Sequence, residues 1–203
     1  CEKKSEDLIL KLIEEIESKY APDSRTSLWK VNFSSDHNTL FGETNLPEAK
    51  LELLELINAN NIFVLDSIDV LPDLSIKNYG VVNNAVSNLR KLSNHSSEMV
   101  SQAILGTKLK VLKKKGEWYL VQTPEGYISW IDHGGFKIMD KNEFDNYFEA
   151  ESIIYKDVFG FSYKSSIQKS VISDLVMGSI LKLIDENTNY YKVMYPDGRI
   201  AWV

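Results

Sequence analysis

The segment 99–131, MVSQAILGTKLKVLKKKGEWYLVQTPEGYISWI, returns without a gap as VISDLVMGSILKLIDENTNYYKVMYPDGRIAWV at 171–203. At one constant offset Gly106 falls on Gly178, Leu109 on Leu181, Tyr119 on Tyr191, Val121 on Val193, Pro124 on Pro196, Gly126 on Gly198 and Trp130 on Trp202. This duplication constrains the fold more than composition does, because a structure acceptable to one copy must also suit the other. Each copy runs into a Gly, continues as an alternating strand, turns into an aromatic strand, passes a Pro-acid-Gly turn and ends on a strand carrying Trp. Short strands with that punctuation describe a small, strongly bent antiparallel barrel.

In the first copy, NLR followed by HSSEMVSQAILG, then KVL and GEWYLVQTPEGYISWI, resembles a bacterial SH3 domain, and PDGRIAWV at the close of the second resembles another. The pair is similar to the tandem SH3-like domains that precede the catalytic domain in NlpC-type cell-wall peptidases, including the dipeptidyl-peptidase VI group. The resemblance covers residues 79–203. Leu92-Ser93-Asn94 stands where the family has a Pro-containing turn, and Tyr190 replaces its first aromatic Trp. In that family a papain-like cysteine peptidase follows the SH3-like pair. The first SH3-like domain lies beside the catalytic cleft and helps recognise the free amino end of a stem peptide through an aromatic hydroxyl and a carboxylate. The resemblance therefore implies two ligand-binding residues here. Tyr127 matches the Tyr of the family's GYxGW phrase, although Ser129 stands at its second Gly; Glu98, in HSSEM, is the candidate carboxylate, with a turn or cap role as its structural alternative. A desolvated ammonium needs such a partner, because an unpaired buried charge is costly.

With 203 residues, 43% of them hydrophobic, the chain can build two or three small domains, each with its own core. The net charge of -6 disfavours a general nucleic-acid binder, and no apolar run approaches the length of a membrane-spanning helix. The only cysteine is residue 1, followed by the polar run Glu2-Lys3-Lys4-Ser5-Glu6-Asp7. A mature bacterial lipoprotein begins this way, so Cys1 is expected to be the lipidation site, with residues 1–4 tethering the chain to a membrane of the cell envelope. A single thiol allows no internal disulfide.

Residues 5–74 read as one α+β domain. Ser5 is placed to cap a helix with Ile9, Leu12, Ile13, Ile16 and Tyr20 on one face. Trp29, Val31 and Phe33 alternate in a strand at 26–33, with a partner at 39–43. Pro47 opens a second helix stopped by Asn60-Asn61, and a last strand occupies 62–71. Through LFGETNLPEAK and FVLDSIDVLP this segment resembles the BON-type αββαβ envelope module. SH3-like domain 1 is expected at 79–135. A linker at 136–150 holds a short helix capped by Asp140 and carrying Phe144, Tyr147 and Phe148; SH3-like domain 2 follows at 151–203. The expected fold class is thus α+β, a small αββαβ domain followed by two SH3-like β-barrels.

No residues assemble a catalytic centre. Cys1, at an expected acylated terminus, is unsuited as a nucleophile. His37, His95 and His133 fall in separate loops without metal-ligand spacing and read as surface or turn residues. No phosphate-cradling loop is present, and no cofactor or metal is expected. Trp130 and Trp202 read as barrel core. Lys108, Lys110, Lys113, Lys114 and Lys115 form one basic run, read as a solvated sheet edge that discourages strand pairing or as a contact for anionic wall polymers or lipid head groups. Three functions remain open. The first is a non-catalytic envelope lipoprotein whose SH3-like domains bind peptidoglycan or muropeptides. The second is the targeting and substrate-recognition part of an NlpC-type γ-D-glutamyl peptidase whose catalytic domain lies beyond Val203. The third is an interaction scaffold for another envelope protein.

Overall fold

In the computed structural model, residues 2–167 and 170–203 are described, and the chain divides into two units. The first is Cys1–Asp73 together with Gly126–Ile128; the second is Leu74–Glu125 together with Ser129–Val203. Cys1, the expected lipidation site, lies outside the described residues.

The first unit follows from its apolar spacing. Ile9, Leu12, Ile13 and Ile16 bury one stripe of helix α1 (Glu2–Tyr20), and Trp29 and Val31 bury one face of strand β1 (Trp29–Ser34). β1 pairs antiparallel with β2 (Thr39–Thr44). Helix α2 (Pro47–Ala59) then carries the chain to β3 (Leu65–Val70), which pairs with β2 in parallel. Ala49, Leu53 and Ile57 of α2 close the core over Leu40 and Ile68. Ser5 lies inside α1 and does not cap it: the good helix formers Glu2 to Lys4 carry the helix upstream of it. Pro47 opens α2 as expected, with no side-chain cap from Leu46 before it.

The second unit repeats one topology. Its first sheet is built from β4 (Tyr79–Val82), β5 (Val86–Arg90), β6 (Met99–Ile104), β7 (Lys108–Lys115), β8 (Trp118–Gln122), β9 (Ile128–Asp132) and β10 (Phe136–Met139), in the order β10-β4-β7-β8-β9-β5-β6. Its second sheet is built from β11 (Ser152–Ile154), β12 (Phe159–Tyr163), β13 (Val171–Val176), β14 (Ile180–Glu186), β15 (Tyr191–Met194) and β16 (Ile200–Trp202), in the order β11-β14-β15-β16-β12-β13. The two orders are the same apart from β10. Irregularities repeat as well: the register shifts between Val111 and Lys113 in one hairpin and between Leu183 and Asp185 in its counterpart. Helix α3 (Lys141–Glu149) joins the copies through a capping box of Asp140 and Glu143. It packs Tyr147, Phe144 and Phe148 with Val81 and Met139.

Three expectations change. The barrels are open sheets, because β6 and β10 are edges and the β5–β6 hairpin meets β9 through one pair, Arg90 with Trp130. Trp130 and Trp202 are half-buried, while their neighbours Ser129, Ile131 and Ala201 face the core. Each indole stands under a lysine, Trp130 with Lys113 at 5.6 Å and Trp202 with Lys192 at 5.8 Å. The lysine run is an edge in part at most: β7 pairs with β4 through Lys108–Lys110 and with β8 through Lys110–Lys115, and Lys108 and Lys110 project from its solvated face beside buried Leu109 and Val111.

Candidate functional site

The two residues singled out for a ligand hold local partners. Tyr127 precedes β9 at the positive-φ Gly126, belongs to the first unit, and is exposed, with the Arg25 guanidinium 5.8 Å from its ring. Arg25 in turn binds Asp23, whose carboxyl that pairing holds down at about 2. The neighbouring Ile128 N–H donates to the Arg25 carbonyl at 2.7 Å. Glu98 is exposed at the foot of β6, its carboxylate 3.7 Å from Lys91 Nζ and its carbonyl accepting the Lys91 N–H. Neither is buried.

The structure also gathers polar side chains that the sequence keeps far apart. On the outer face of β5, Val86, Asn88 and Arg90 alternate with buried Ser87 and Leu89. They form one wall of a cleft of about 350 Å³ whose other walls are His95, Trp118, Ile131, Asp132 and the turn Gly134–Gly135. The walls are held firmly. The Asp132 carboxylate accepts the Gly134 N–H at 2.9 Å and so caps the short 3-10 turn His133–Gly135. Ser87 Oγ donates to the Gly135 carbonyl at 2.7 Å, and Asn84 Nδ2 donates to that of Gly134 at 3.2 Å. Arg90 spends one nitrogen on the Ser97 carbonyl at 2.7 Å, which leaves the rest of its fork of donors for other partners.

Two of the three histidines converge here. His95 Nε2 lies 3.7 Å from Asp132 Oδ2, and its ring stands edge-on to Trp118 with centroids 4.9 Å apart. His133 Nδ1 lies 3.6 Å from Asp132 and 3.4 Å from Glu117. Among the described residues no group of His, Cys, Asp and Glu is arranged to hold a metal ion. The cleft therefore offers one guanidinium, one capped carboxylate and an aromatic wall, a set suited to orienting a polar ligand.

In the second copy the positions that match Arg90 and Asn88 carry other side chains. Tyr163 pairs with Trp202 as Arg90 pairs with Trp130, and the register shift before Arg90 recurs before Tyr163. Phe161 and Phe159 accordingly stand where the first copy has Asn88 and Val86, and their rings meet edge-on at 5.0 Å. Arg90, His95, Trp118 and Asp132 escaped the sequence reading because only the pairing of β5 with β9 and the turn after β9 bring them together. The polar alternation of Asn88 and Arg90 was the one signal available.

The chain is 26% identical over 117 residues, 54% of its length, to the γ-D-glutamyl-L-lysine dipeptidyl-peptidase of Bacillus cereus, and it spans 34% of that curated relative. Among solved structures, an NlpC/P60 family protein from Bacillus cereus shares 20% identity at a TM-score of 0.48, over 62% of this chain and 53% of its own. An NlpC/P60 endopeptidase from Photobacterium damselae subsp. piscicida shares 14% identity at a TM-score of 0.47, over 66% of this chain and 33% of its own. Residues 89–135, which supply Arg90, His95, Trp118 and Asp132 to the cleft, match the bacterial dipeptidyl-peptidase SH3 domain.

Proposed function

We propose that this chain is the non-catalytic, substrate-binding part of an NlpC-type cell-wall peptidase, and that its SH3-type segment holds the stem peptide of peptidoglycan for a catalytic domain outside these 203 residues. The observation that carries this reading is the match of residues 89–135 to the SH3 domain of bacterial dipeptidyl-peptidases, in the segment that builds the polar cleft. Tyr127 and Glu98 remain the proposed contacts for a free peptide amine, and two SH3-like modules after an αββαβ module remain the proposed architecture. Attachment to the envelope through acylated Cys1 belongs to the same proposal. Among the described residues no helix is long and apolar enough to cross a membrane.

Sedimentation with insoluble peptidoglycan tests the reading. The protein is expected in the pellet, and in the supernatant once an amidase has stripped the stem peptides from the glycan strands. Protein that stays in the supernatant with intact peptidoglycan overturns the proposal. The mass of the protein isolated from its own cells then separates two versions. A mass above 23.2 kDa by a further domain, about 100–150 residues, supports the peptidase part. A mass of 23.2 kDa plus acyl groups supports a binding lipoprotein that acts alone.

A further inference from the structure

The lysine run of β7 is not a requirement of its hairpin, because the duplicated hairpin is built without it. At the positions of Lys108, Lys110, Lys113, Lys114 and Lys115 the second copy has Ile180, Lys182, Asp185, Glu186 and Asn187, with the register shift in the same place. Strand pairing sets the direction of the lysines. Lys110 lies opposite Gln122, Lys113 opposite Leu120 and Lys115 opposite Trp118, which are alternate residues of β8. Opposed residues share a face, so these three lysines stand in one row on the face turned away from core residues Val111 and Val121. The extra residue at Leu112 keeps the row in phase, and Lys108 precedes it on the same face. Lys108, Lys110, Lys114 and Lys115 are exposed, and among the described residues none of these four pairs with a carboxylate.

We propose that this row binds a linear phosphodiester polymer of the cell wall, its phosphates following the lysines along β7. The inference rests on the cell-wall reading and adds to it a second contact, separate from the polar cleft. Charge complementarity carries it. Residues 74–203 hold sixteen Lys or Arg against fourteen Asp or Glu, while residues 1–73 hold seven against fifteen, so the positive charge is local in a chain of net charge -6. That net charge repels an extended anionic surface, whereas a flexible thread needs only the field within about 8 Å of one row. Alternate residues of a strand are about 7 Å apart, so Lys108 and Lys110 present separate point charges on flexible stems, suited to single phosphates in succession. The rings beside the run are already covered: Lys113 lies 5.6 Å from the Trp130 ring, Lys114 5.4 Å from that of Tyr119 and Lys108 4.2 Å from that of Phe148. A single-stranded nucleic acid is held by open aromatic faces on which its bases stack. Their absence from this row favours a polymer whose repeats carry no base.

The test is titration of the full, unacylated chain at several salt concentrations with three probes. These are a glycerol phosphate polymer, single-stranded oligothymidylate with as many phosphates, and vesicles of phosphatidylglycerol and phosphatidylcholine in equal parts. The polymer is expected to bind, and Lys110→Gln with Lys115→Gln to weaken it about tenfold at low salt and to lessen the slope of log affinity against log salt by about 1.4, two contacts at about 0.7 each. Lys110→Arg with Lys115→Arg is expected to bind as the parent does. Both lysines are exposed, so the variants are expected to keep the parent's circular dichroism. Vesicles bound as tightly as the polymer would assign the row to a lipid surface, and oligothymidylate bound more tightly would assign it to nucleic acid; either result overturns the inference. So does polymer binding that is absent, or unchanged in the glutamine variant. Peptidoglycan freed of phosphate polymers by hydrofluoric acid keeps the two proposals apart. If it pellets the parent and the glutamine variant alike, the stem-peptide reading stands whatever the polymer does; if it pellets neither, that reading fails, and the polymer titration still decides the role of the row.

Discussion

Single atoms decide the outcome at several positions. Gly42 sits at φ +126 in the middle of β2, and a Cβ there would stand 1.8 Å from the Lys30 carbonyl oxygen of β1. Backbone cannot yield that much without breaking the ladder between β1 and β2, and the conformation itself disfavours any side chain. Gly42→Ala is expected to lower the thermal midpoint of the first unit sharply, read as loss of near-ultraviolet circular dichroism from Trp29; an unchanged midpoint would refute the account. Ser129 presents the opposite case. It faces the core at 3% exposure, and its buried Oγ has no hydrogen-bond partner among the described residues. A buried polar group without a partner costs stability, so Ser129→Ala is expected to raise it by about 1 kcal/mol in chemical denaturation. A loss on that substitution would mean that the hydroxyl is satisfied in solution.

At the scale of elements, α3 shows how a local sequence signal becomes a joint. Asp140 accepts the Glu143 N–H, Glu143 accepts the Asp140 N–H, and Lys77 reaches both carboxylates, Glu143 at 2.6 Å and Asp140 at 3.5 Å. The backbone hydrogen bond from Glu143 lowers the Asp140 carboxyl below its ordinary value, and the hydrogen bond from Lys77 does the same to Glu143. Lys77 is raised by its hydrogen bond to Glu143. Lowered carboxyls contribute stability that is complete above their unfolded values and is lost as pH falls through their folded values. The raised lysine contributes below its own unfolded value and loses that contribution only in strong alkali. Near neutrality the whole set is in place, and its loss lies on the acid side. The fall in thermal midpoint on acidification is expected to be shallower in Asp140→Asn with Glu143→Gln than in the parent; parallel curves would show that the cap contributes nothing to the pH response. This helix was legible in the sequence because Asp140, Glu143 and the aromatic face lie within one short window. The first unit was legible for the same reason, its stripe of Ile9, Leu12, Ile13 and Ile16 being local. The phase of β9 was not: Ser129 and Ile131 take the core face and Trp130 the other, a choice that depends on pairing with strands elsewhere in the chain. The cleft was hidden for a related reason, since Arg90, His95, Trp118 and Asp132 come from four segments whose meeting depends on strand order.

At the scale of the whole chain, duplication in the second unit has become interdependence. Leu105, in the loop after β6 of the first copy, is fully buried in a cluster with Leu175, Leu181, Val193, Tyr195 and Ala201 of the second copy. Its carbonyl accepts the Ile180 N–H at 3.0 Å. Its counterpart Met177 is 56% exposed, so one copy inserts a side chain and the other receives it. The approach requires glycine at 106, where a Cβ would stand 2.5 Å from the Ile180 carbonyl oxygen, while at Gly178 the demand comes from its φ of +89. Asn83 Nδ2 donates to Asp197 at 3.0 Å and the Tyr147 hydroxyl donates to the Met194 carbonyl at 3.3 Å, so loops and the connecting helix join the same seam. A sheet whose core is completed by a residue of its neighbour cannot unfold independently of it. Leu105→Ala is therefore expected to destabilise the second unit by about 2–5 kcal/mol, the cost of emptying a fully buried leucine site. Amide exchange should rise in β14 and β15 of the second copy at least as much as in β7 and β8 of the first. Faster exchange confined to the first copy, or two separate unfolding transitions in the parent protein, would mean that the copies fold as independent modules and that the cleft of the first owes nothing to the second.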